Sequence, residues 1–421
     1  MRTLKSLLLL ALLLPALALA NGYDVPNVNP RDLAMVGSLV AAQIDAEATY
    51  ANASALARLE GFSLSLAGSM LDLKTSWSAP AGSYMEGSPP ATTKFMPAPP
   101  VSLFASYSGK LADRGAGVGF GMNIPGGGNV FYDNDWAGRG RIITVDRKLY
   151  GFYLNGGIEV IPHLRVGGGA TYIHTEEYLK QGVQPNVDWY GELATSGGGW
   201  GFNLSAEGEP IPSIPLTIGI DYKHKVPMHL TGNAHFVVGD PLLQPNPANP
   251  SAAPPVDQGA THDLTYPNVI NVGAAYRVIE PLLVAFTYTY NRYSIYQSDV
   301  FVGDKGTTIE VPRHYKDGYT FRLGGEYDLT KEVQLRAGVL RDISGMNVDY
   351  YSPTLPDGNV WAGALGAGWK IQPDLTLSGA FFYAWFDTVK QTGTLELPGI
   401  YDSRAYIVSL GVTWRTDFGK K

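Results

Sequence analysis

Lys223, Arg277, Arg322 and Arg336 sit inside segments whose side chains alternate in character, on the face that carries Gly, Thr, Asn and charge. A cation so placed can hold a carboxylate, either that of a bound ligand or one of the chain's own, such as Glu326 or Asp221. The other reactive residue types form no catalytic constellation. The 7 His lie at turns and loop edges, without the G-x-S-x-G neighbourhood that would mark a nucleophile and its base. There is no H-E-x-x-H, and GALGAGWK (Gly363–Lys370) lacks the Ser or Thr that follows the Lys of a phosphate-binding loop. The cluster YDNDW (Tyr132–Trp136) has Ca²⁺-type ligands but reads as a solvated loop, so neither metal nor cofactor is expected.

The elements that must position the four cations are strands. In the last segment Tyr406, Val408, Leu410, Val412, Trp414 and Phe418 share one face, broken only by Thr416, while Ser409, Gly411, Thr413, Arg415 and Asp417 share the other. A period of two is a strand signal. Similar alternation recurs from Tyr150 to Val160, from Leu282 to Asn291 and from Tyr319 to Tyr327. About fourteen such segments begin near Phe62, Val101, Gly115, Lys148, Leu164, Gly198, Leu216, Pro267, Leu282, Gly318, Val333, Asn359, Leu375 and Arg404.

Composition narrows the class. The 421 residues include 50 Gly and 25 Tyr but only 16% charged residues, and no Cys. The opening MRTLKSLLLLALLLPALALA has basic residues, an apolar run too short for a spanning helix, and Ala18-Leu19-Ala20, the pattern of an export signal removed after Ala20. Without Arg2 and Lys5, the 31 basic residues fall to 29 against 38 acidic ones, which makes nucleic acid an unsuitable partner.

The connections decide between a soluble sandwich and a barrel. Short turns at Gly109–Arg114, Pro162-His163, Glu209–Ser213, Glu280-Pro281, Leu329–Lys331 and Gln372-Pro373 alternate with long loops. Those loops run over Ser76–Pro99, Gly126–Arg147, Lys180–Ser196, Lys225–Tyr266, Ser298–Asp317, Ser344–Gly358 and Val389–Ser403. Short turns at one end and long loops at the other describe a bacterial outer-membrane barrel. A soluble sandwich would also have to bury Arg165, Lys223, Arg322, Glu326 and Arg336 in a dry core. The expectation is therefore an all-β transmembrane antiparallel barrel of about fourteen strands, apolar face to lipid and polar face to the lumen. It would span residues 61–418, followed by a tail at 419–421. Residues 21–60 lack the period of two and read as two short helices split near Asp45, too short to be a domain by themselves.

Several stretches resemble the FadL-type outer-membrane transporters of long-chain fatty acids and other hydrophobic compounds. They are Asn52-Ala53-Ser54-Ala55, Trp136–Arg139, Gly199–Asn203, Lys225–Phe236, Leu335–Asp342 and Ser352–Trp361, in the family's order. The chain departs from the family's Asn-Pro-Ala at Asn52-Ala53-Ser54 and lacks a basic residue near Val360. The resemblance implies passive uptake of a fatty acid or hydrocarbon by a monomer seated in outer-membrane lipid and lipopolysaccharide after insertion by the barrel-assembly machinery. It implies a groove among the outer loops, with Val183, Trp189, Phe236 and Val238 as candidates, and a lumen pocket where Lys223, Arg277, Arg322 or Arg336 could meet the cargo. It further implies that residues 21–60 are a partly helical hatch that fills the lumen, with a gate formed by hatch residues Asn52, Ala53 and Ser54 and by the third strand, whose Gly115 and Pro125 could weaken pairing and open a side exit. A general diffusion porin and an outer-membrane lipid esterase are the alternatives.

Overall fold

The computed structural model describes residues 25–26, 29–95, 100–184, 189–238, 256–393 and 396–416, the side chains of 183, 184 and 238 excepted. The expected export signal and tail, Asp417, Phe418 and the side chains of Val183 and Val238 thus lie outside the described residues.

Twenty strands are described. The first eight are β1 (Gly61–Ser78), β2 (Ala91–Thr92), β3 (Val101–Leu111), β4 (Arg114–Phe131), β5 (Thr144–Ile161), β6 (Leu164–Gln184), β7 (Trp189–Gly208) and β8 (Leu216–Lys223). Six more carry the chain through its middle: β9 (Val226–Val238), β10 (Gln258–Tyr266), β11 (Val269–Ile279), β12 (Leu282–Asn291), β13 (Ser298–Gly303) and β14 (Thr308–Pro312). The last are β15 (Gly318–Asp328), β16 (Val333–Ile343), β17 (Val360–Gln372), β18 (Leu375–Phe386), β19 (Val389–Gln391) and β20 (Gly399–Thr416).

Fourteen of them make the wall, paired antiparallel in the order β1, β3, β4, β5, β6, β7, β8, β11, β12, β15, β16, β17, β18, β20. Pairing of β20 back onto β1, from Phe62↔Thr416 to Ser78↔Ile400, closes the sheet into a barrel. The turn between β3 and β4 is two residues, Ala112 and Asp113, with φ of 48° and 65°, the left-handed pair that keeps a hairpin in step with strand twist. The end with such short turns faces the periplasm and the other the cell exterior.

The faces sort as the alternation requires. Val118, Phe120, Leu154, Trp200, Leu204, Leu365, Val408 and Leu410 are exposed, whereas Ser63, Ser65, Asn155, Asn203, Asp221, Thr287, Thr289 and Ser409 are buried. In water that is an inverted protein; in lipid it is the stable arrangement.

Six wall strands, β1, β4, β5, β6, β7 and β20, run to 18–21 residues rather than the ten or so expected, and several expected loops are sheet. β5 starts at Thr144, β7 at Trp189 and β20 at Gly399, because the paired backbone continues beyond the bilayer. Outside, the upper half of β7 pairs with β9, β9 with β10, β10 with β13 and β13 with β14, so these four added strands form an extracellular apron.

Residues 29–60 lie inside the barrel. They form α1 (Pro30–Ala34), α2 (Ala48–Ala51) and a 3₁₀ turn at Ala53–Arg58. Pro30 opens α1 at the position where a missing N–H costs nothing, and Asn29 caps it by accepting from the Arg31 N–H. Leu33, Ala34 and Val36 pack on Leu340, Val360, Ala362, Ala364, Phe382, Ala384, Ala405 and Ile407, so this sector of the inner wall is small and apolar rather than polar. The close fit shows in the wall's glycines. A Cβ on Gly115 would stand 2.1 Å from the Ala57 carbonyl oxygen, and one on Gly167 would stand 2.4 Å from the Ser54 nitrogen.

Candidate functional site

The hatch is fastened to the wall by two ionic groups. Arg31 on α1 donates to both carboxylate oxygens of Glu326 on β15, at 2.9 and 3.1 Å, and Arg336 on β16 donates to the same carboxylate at 2.7 Å. Lower down, Arg58 pairs with Glu207 at 2.6 Å, and Arg165 holds Glu207 at 3.1 Å and Glu209 at 2.9 Å. Asn52 caps the 3₁₀ turn through Ser54 and donates to the Val40 carbonyl at 2.7 Å; the Ser54 N–H reaches Ser205 at 2.9 Å. Arg415 on β20 donates to the Ile44 carbonyl at 3.0 Å.

Above the hatch is a lumen cavity of about 140 Å³. Its apolar side is Val25, Leu33, Val36, Leu340, Val360 and Phe382. Its polar side includes Lys223, Asn271, Thr289 and Arg322, which form one hydrogen-bonded chain. Arg322 donates to Thr289, Thr289 donates to Asn271 at 2.6 Å, and Asn271 donates at 3.2 Å to Asp221, which also pairs with Lys223. Beside it Thr320 donates to Asp342 at 2.6 Å. The Lys223 ammonium sits 4.7 Å from the centre of the Tyr50 ring on the hatch. These lumen cations are thus partly answered by the protein's own groups, and the wall can meet a polar head without presenting a naked charge.

Of the four cations expected to meet cargo, Lys223 and Arg322 line this cavity and the other two do not. Arg336 is engaged at Glu326. Arg277 stands at the short-turn end, donating to the Glu280 carbonyl at 2.6 Å and lying 3.5 Å from Asp328. The sequence reading missed Asn271, Thr289, Thr320 and Asp342, although each shares strand parity with inward-facing neighbours.

An apolar cleft lies on the apron. Leu179, Leu193, Phe236, Ala260, Phe301 and Ile309 line a cleft of about 130 Å³. Leu179, Phe301, Ile309 and Val311 also line a vestibule of about 450 Å³, whose far side reaches Gly127 and Gly128 of β4 and Tyr296, Arg313 and Leu355. Phe236 thus lines the cleft, whereas Trp189 is buried at the start of β7 and lines neither cavity.

Under the vestibule is an ionic cluster that no sequence spacing announced. His262 on β10 lies 2.7 Å from Glu177 and 3.3 Å from Asp299, Arg147 pairs with Glu177, and Arg313 donates to Asp299 at 2.9 Å. Burial by itself would lower the His262 pKa, but the Glu177 and Asp299 carboxylates outweigh it and raise it to about 9. Burial opposes ionisation of Asp299 too, yet Arg313, His262 and Arg147 hold it well below the usual carboxylate range.

The wall is irregular at β4. Its pairing with β3 ends at Leu103↔Met122, and among the described residues no strand pairs with that edge from Asn123 to Val130. On the other edge the register to β5 slips between Asn123 and Gly126, so Ile124 and Pro125 together stand opposite Tyr150. This is a one-residue bulge at the position where proline removes a ladder donor. The freed Pro125 carbonyl accepts the Val25 N–H at 3.1 Å and the Tyr266 hydroxyl at 3.2 Å.

A closed fourteen-strand wall, a lumen filled by the chain's own N-terminal segment and an interrupted third wall strand are joined by a sequence match. A family model described as outer membrane protein transport protein (OMPP1/FadL/TodX) fits residues 11–418. The chain belongs to that family. It is an outer-membrane β-barrel of the FadL/TodX transport channels, which are channels and not enzymes. An outer membrane protein of Neisseria meningitidis is 25% identical over 186 residues, which is 41% of this chain and 40% of that protein. The chain thus aligns with about two fifths of that relative's length. Two solved structures share the fold. A Pseudomonas aeruginosa FadL homologue superposes with a TM-score of 0.83 at 20% identity, covering 94% of this chain and 100% of that one. The P. putida toluene transporter TodX superposes with 0.70 at 14% identity, again over 94% and 100%.

Proposed function

We propose that this FadL/TodX-family barrel carries compact hydrophobic molecules passively across the outer membrane: a single aromatic ring, or a short apolar chain bearing one polar group. The observation that carries this reading is the lumen cavity, with an apolar wall facing a self-satisfied polar chain of Lys223, Asn271, Thr289 and Arg322. Its volume of about 140 Å³ is close to that of a cavity that takes one benzene ring, roughly 150 Å³. A fully polar solute gains little from the Val36, Leu340 and Phe382 side, whereas a chain with one polar head can lay its apolar part there and turn the head toward Lys223 and Arg322. TodX, a toluene transporter by name, shares the fold.

In this reading cargo settles in the outer groove beside Phe236 and Phe301, passes to the lumen cavity, and leaves sideways at the unpaired edge of β4. Asn52, Ala53 and Ser54 seat the hatch floor, and the bulge at Pro125 keeps the wall interrupted. A barrel inserted by the assembly machinery and working as a monomer in lipid and lipopolysaccharide suffices for this route, which couples to no energy source.

The test is uptake of radiolabelled toluene, hexanoate and palmitate by cells with and without the gene. Loss of toluene and hexanoate entry with palmitate less affected is expected. Unchanged entry of all three refutes transport. Deleting Pro125, which restores an even register with β5, is expected to leave a folded barrel that binds cargo but no longer delivers it; undiminished delivery refutes the side exit.

A further inference from the structure

The vestibule and the lumen cavity are separate spaces, and the residues between them form one apolar layer. Leu149, Ile173, Met228, Leu264, Tyr266, Tyr293, Tyr296, Tyr315 and Leu355 belong to a single buried cluster. Its lower member Tyr266 lines the lumen cavity, and its upper members Tyr296 and Leu355 line the vestibule. The rings of Tyr296 and Tyr315 are 5.2 Å apart and those of Tyr293 and Tyr315 are 5.9 Å apart, so the tyrosines pack as neighbours. Each end of the layer is tethered by a hydroxyl. Tyr296 donates to Asp299 at 2.8 Å, within the cluster that Arg313 extends to Thr354 at 2.9 Å, and Tyr266 donates to the bulge carbonyl of Pro125 at 3.2 Å.

We propose that this tyrosine layer is a second gate, on the outer side of the hatch, and that Tyr296 and Tyr266 are its specificity-determining leaves. The proposal rests on the transport reading above and adds where selection occurs. An ion or sugar entering the layer would exchange water for carbon with no new partner, whereas an aromatic or aliphatic surface exchanges one apolar contact for another. Each leaf opens by releasing its hydroxyl tether and turning a ring, a smaller change than withdrawing the hatch with its two ionic fastenings. At the lower leaf the same hydroxyl that closes the gate also holds the bulge, so cargo that displaces Tyr266 frees the Pro125 carbonyl beside the wall's unpaired edge.

The chain has no cysteine, so single introduced thiols report on access without interference. Lys223→Cys places a thiol in the lumen cavity and Thr354→Cys places one in the vestibule. Each is labelled in nanodiscs with N-phenylmaleimide and with a sulfonated maleimide. In the parent the lumen thiol is expected to react with the phenyl reagent and hardly at all with the sulfonated one. Tyr296→Phe, which removes only the tether, is expected to speed phenyl labelling up to about tenfold, the effect of one lost hydrogen bond. Tyr296→Ala and Tyr266→Ala are expected to admit the sulfonated reagent as well. The vestibule thiol should react alike in every variant, and heat-modifiable mobility confirms a folded barrel. Lumen labelling that is the same in parent, Tyr296→Ala and Tyr266→Ala overturns the gate. Because labelling reads passage and not uptake of any particular cargo, a working gate with the wrong cargo and a missing gate give different results.

Discussion

Removing the charge of Glu326 should loosen the hatch while sparing the barrel. The carboxylate accepts three hydrogen bonds, from Arg31 at 2.9 and 3.1 Å and from Arg336 at 2.7 Å, and the side chains of all three residues are at most 6% exposed. In Glu326→Gln two guanidiniums remain beside a neutral amide that can satisfy neither charge. Breaking a buried pair by deleting one partner costs about 3–5 kcal/mol, and each 1.4 kcal/mol is about tenfold, so the displaced-hatch population should rise roughly 100- to 4000-fold. Because the partner wall strands keep their ladders, heat-modifiable mobility should be unchanged. Single-channel recording in planar bilayers should show frequent large openings where the parent shows rare ones. Adding Arg31→Met removes one stranded charge, so the double variant should open less than Glu326→Gln alone. Parent-like conductance in a folded Glu326→Gln barrel would refute the assignment of this cluster as the hatch fastening.

Three further outcomes are expected. Lys223→Met and Arg322→Met should reduce hexanoate uptake more than toluene uptake, whereas Arg277→Ala, at the periplasmic rim, should alter neither; equal losses in all three would mean that lumen position does not matter. Gly167→Ala should unseat the hatch floor, since its Cβ would meet backbone at Ser54 at 2.4 Å rather than a movable side chain, and liposome swelling by small sugars should increase. The apron should also loosen in alkali. His262 has its pKa raised from 6.5 to about 9, so its contribution is fully present below pH 6.5 and fades as pH rises through 9. Proteolysis within the β13–β14 hairpin should accelerate over that range, and His262→Gln should be cleaved at one rate throughout it.

The period of two at Tyr406–Trp414, with Arg415 opposite, was enough to read a strand, and the alternation of short and long connections was enough to read a membrane barrel. Both are local properties, because a residue's face on a strand follows from its number alone and a tight turn is written in a few adjacent residues. The strand ends were less legible. Polar pairs such as Lys180 and Glu192 look like loop in a sequence, yet they continue the ladder between β6 and β7 where water and not lipid surrounds it. Parity likewise brought Lys223 and Arg322 inward but could not separate them from Arg336 and Arg277, since parity gives the side of the wall and not the height along it or the partner already in place.

The sequence by itself thus determined a closed barrel turned outward, an N-terminal segment unlike the strands, and the family. Tertiary structure alone decided which carboxylate each cation meets, that His262 and Asp299 come together from strands on either side of the β10–β13 pairing, and that tyrosines 266, 293, 296 and 315 form one layer between two cavities. The physical reason is chain separation. Arg31 reaches Glu326 across 295 positions and Asn155 reaches Thr49 across 106, and such contacts are fixed by closure of the barrel around its hatch, which no local period encodes.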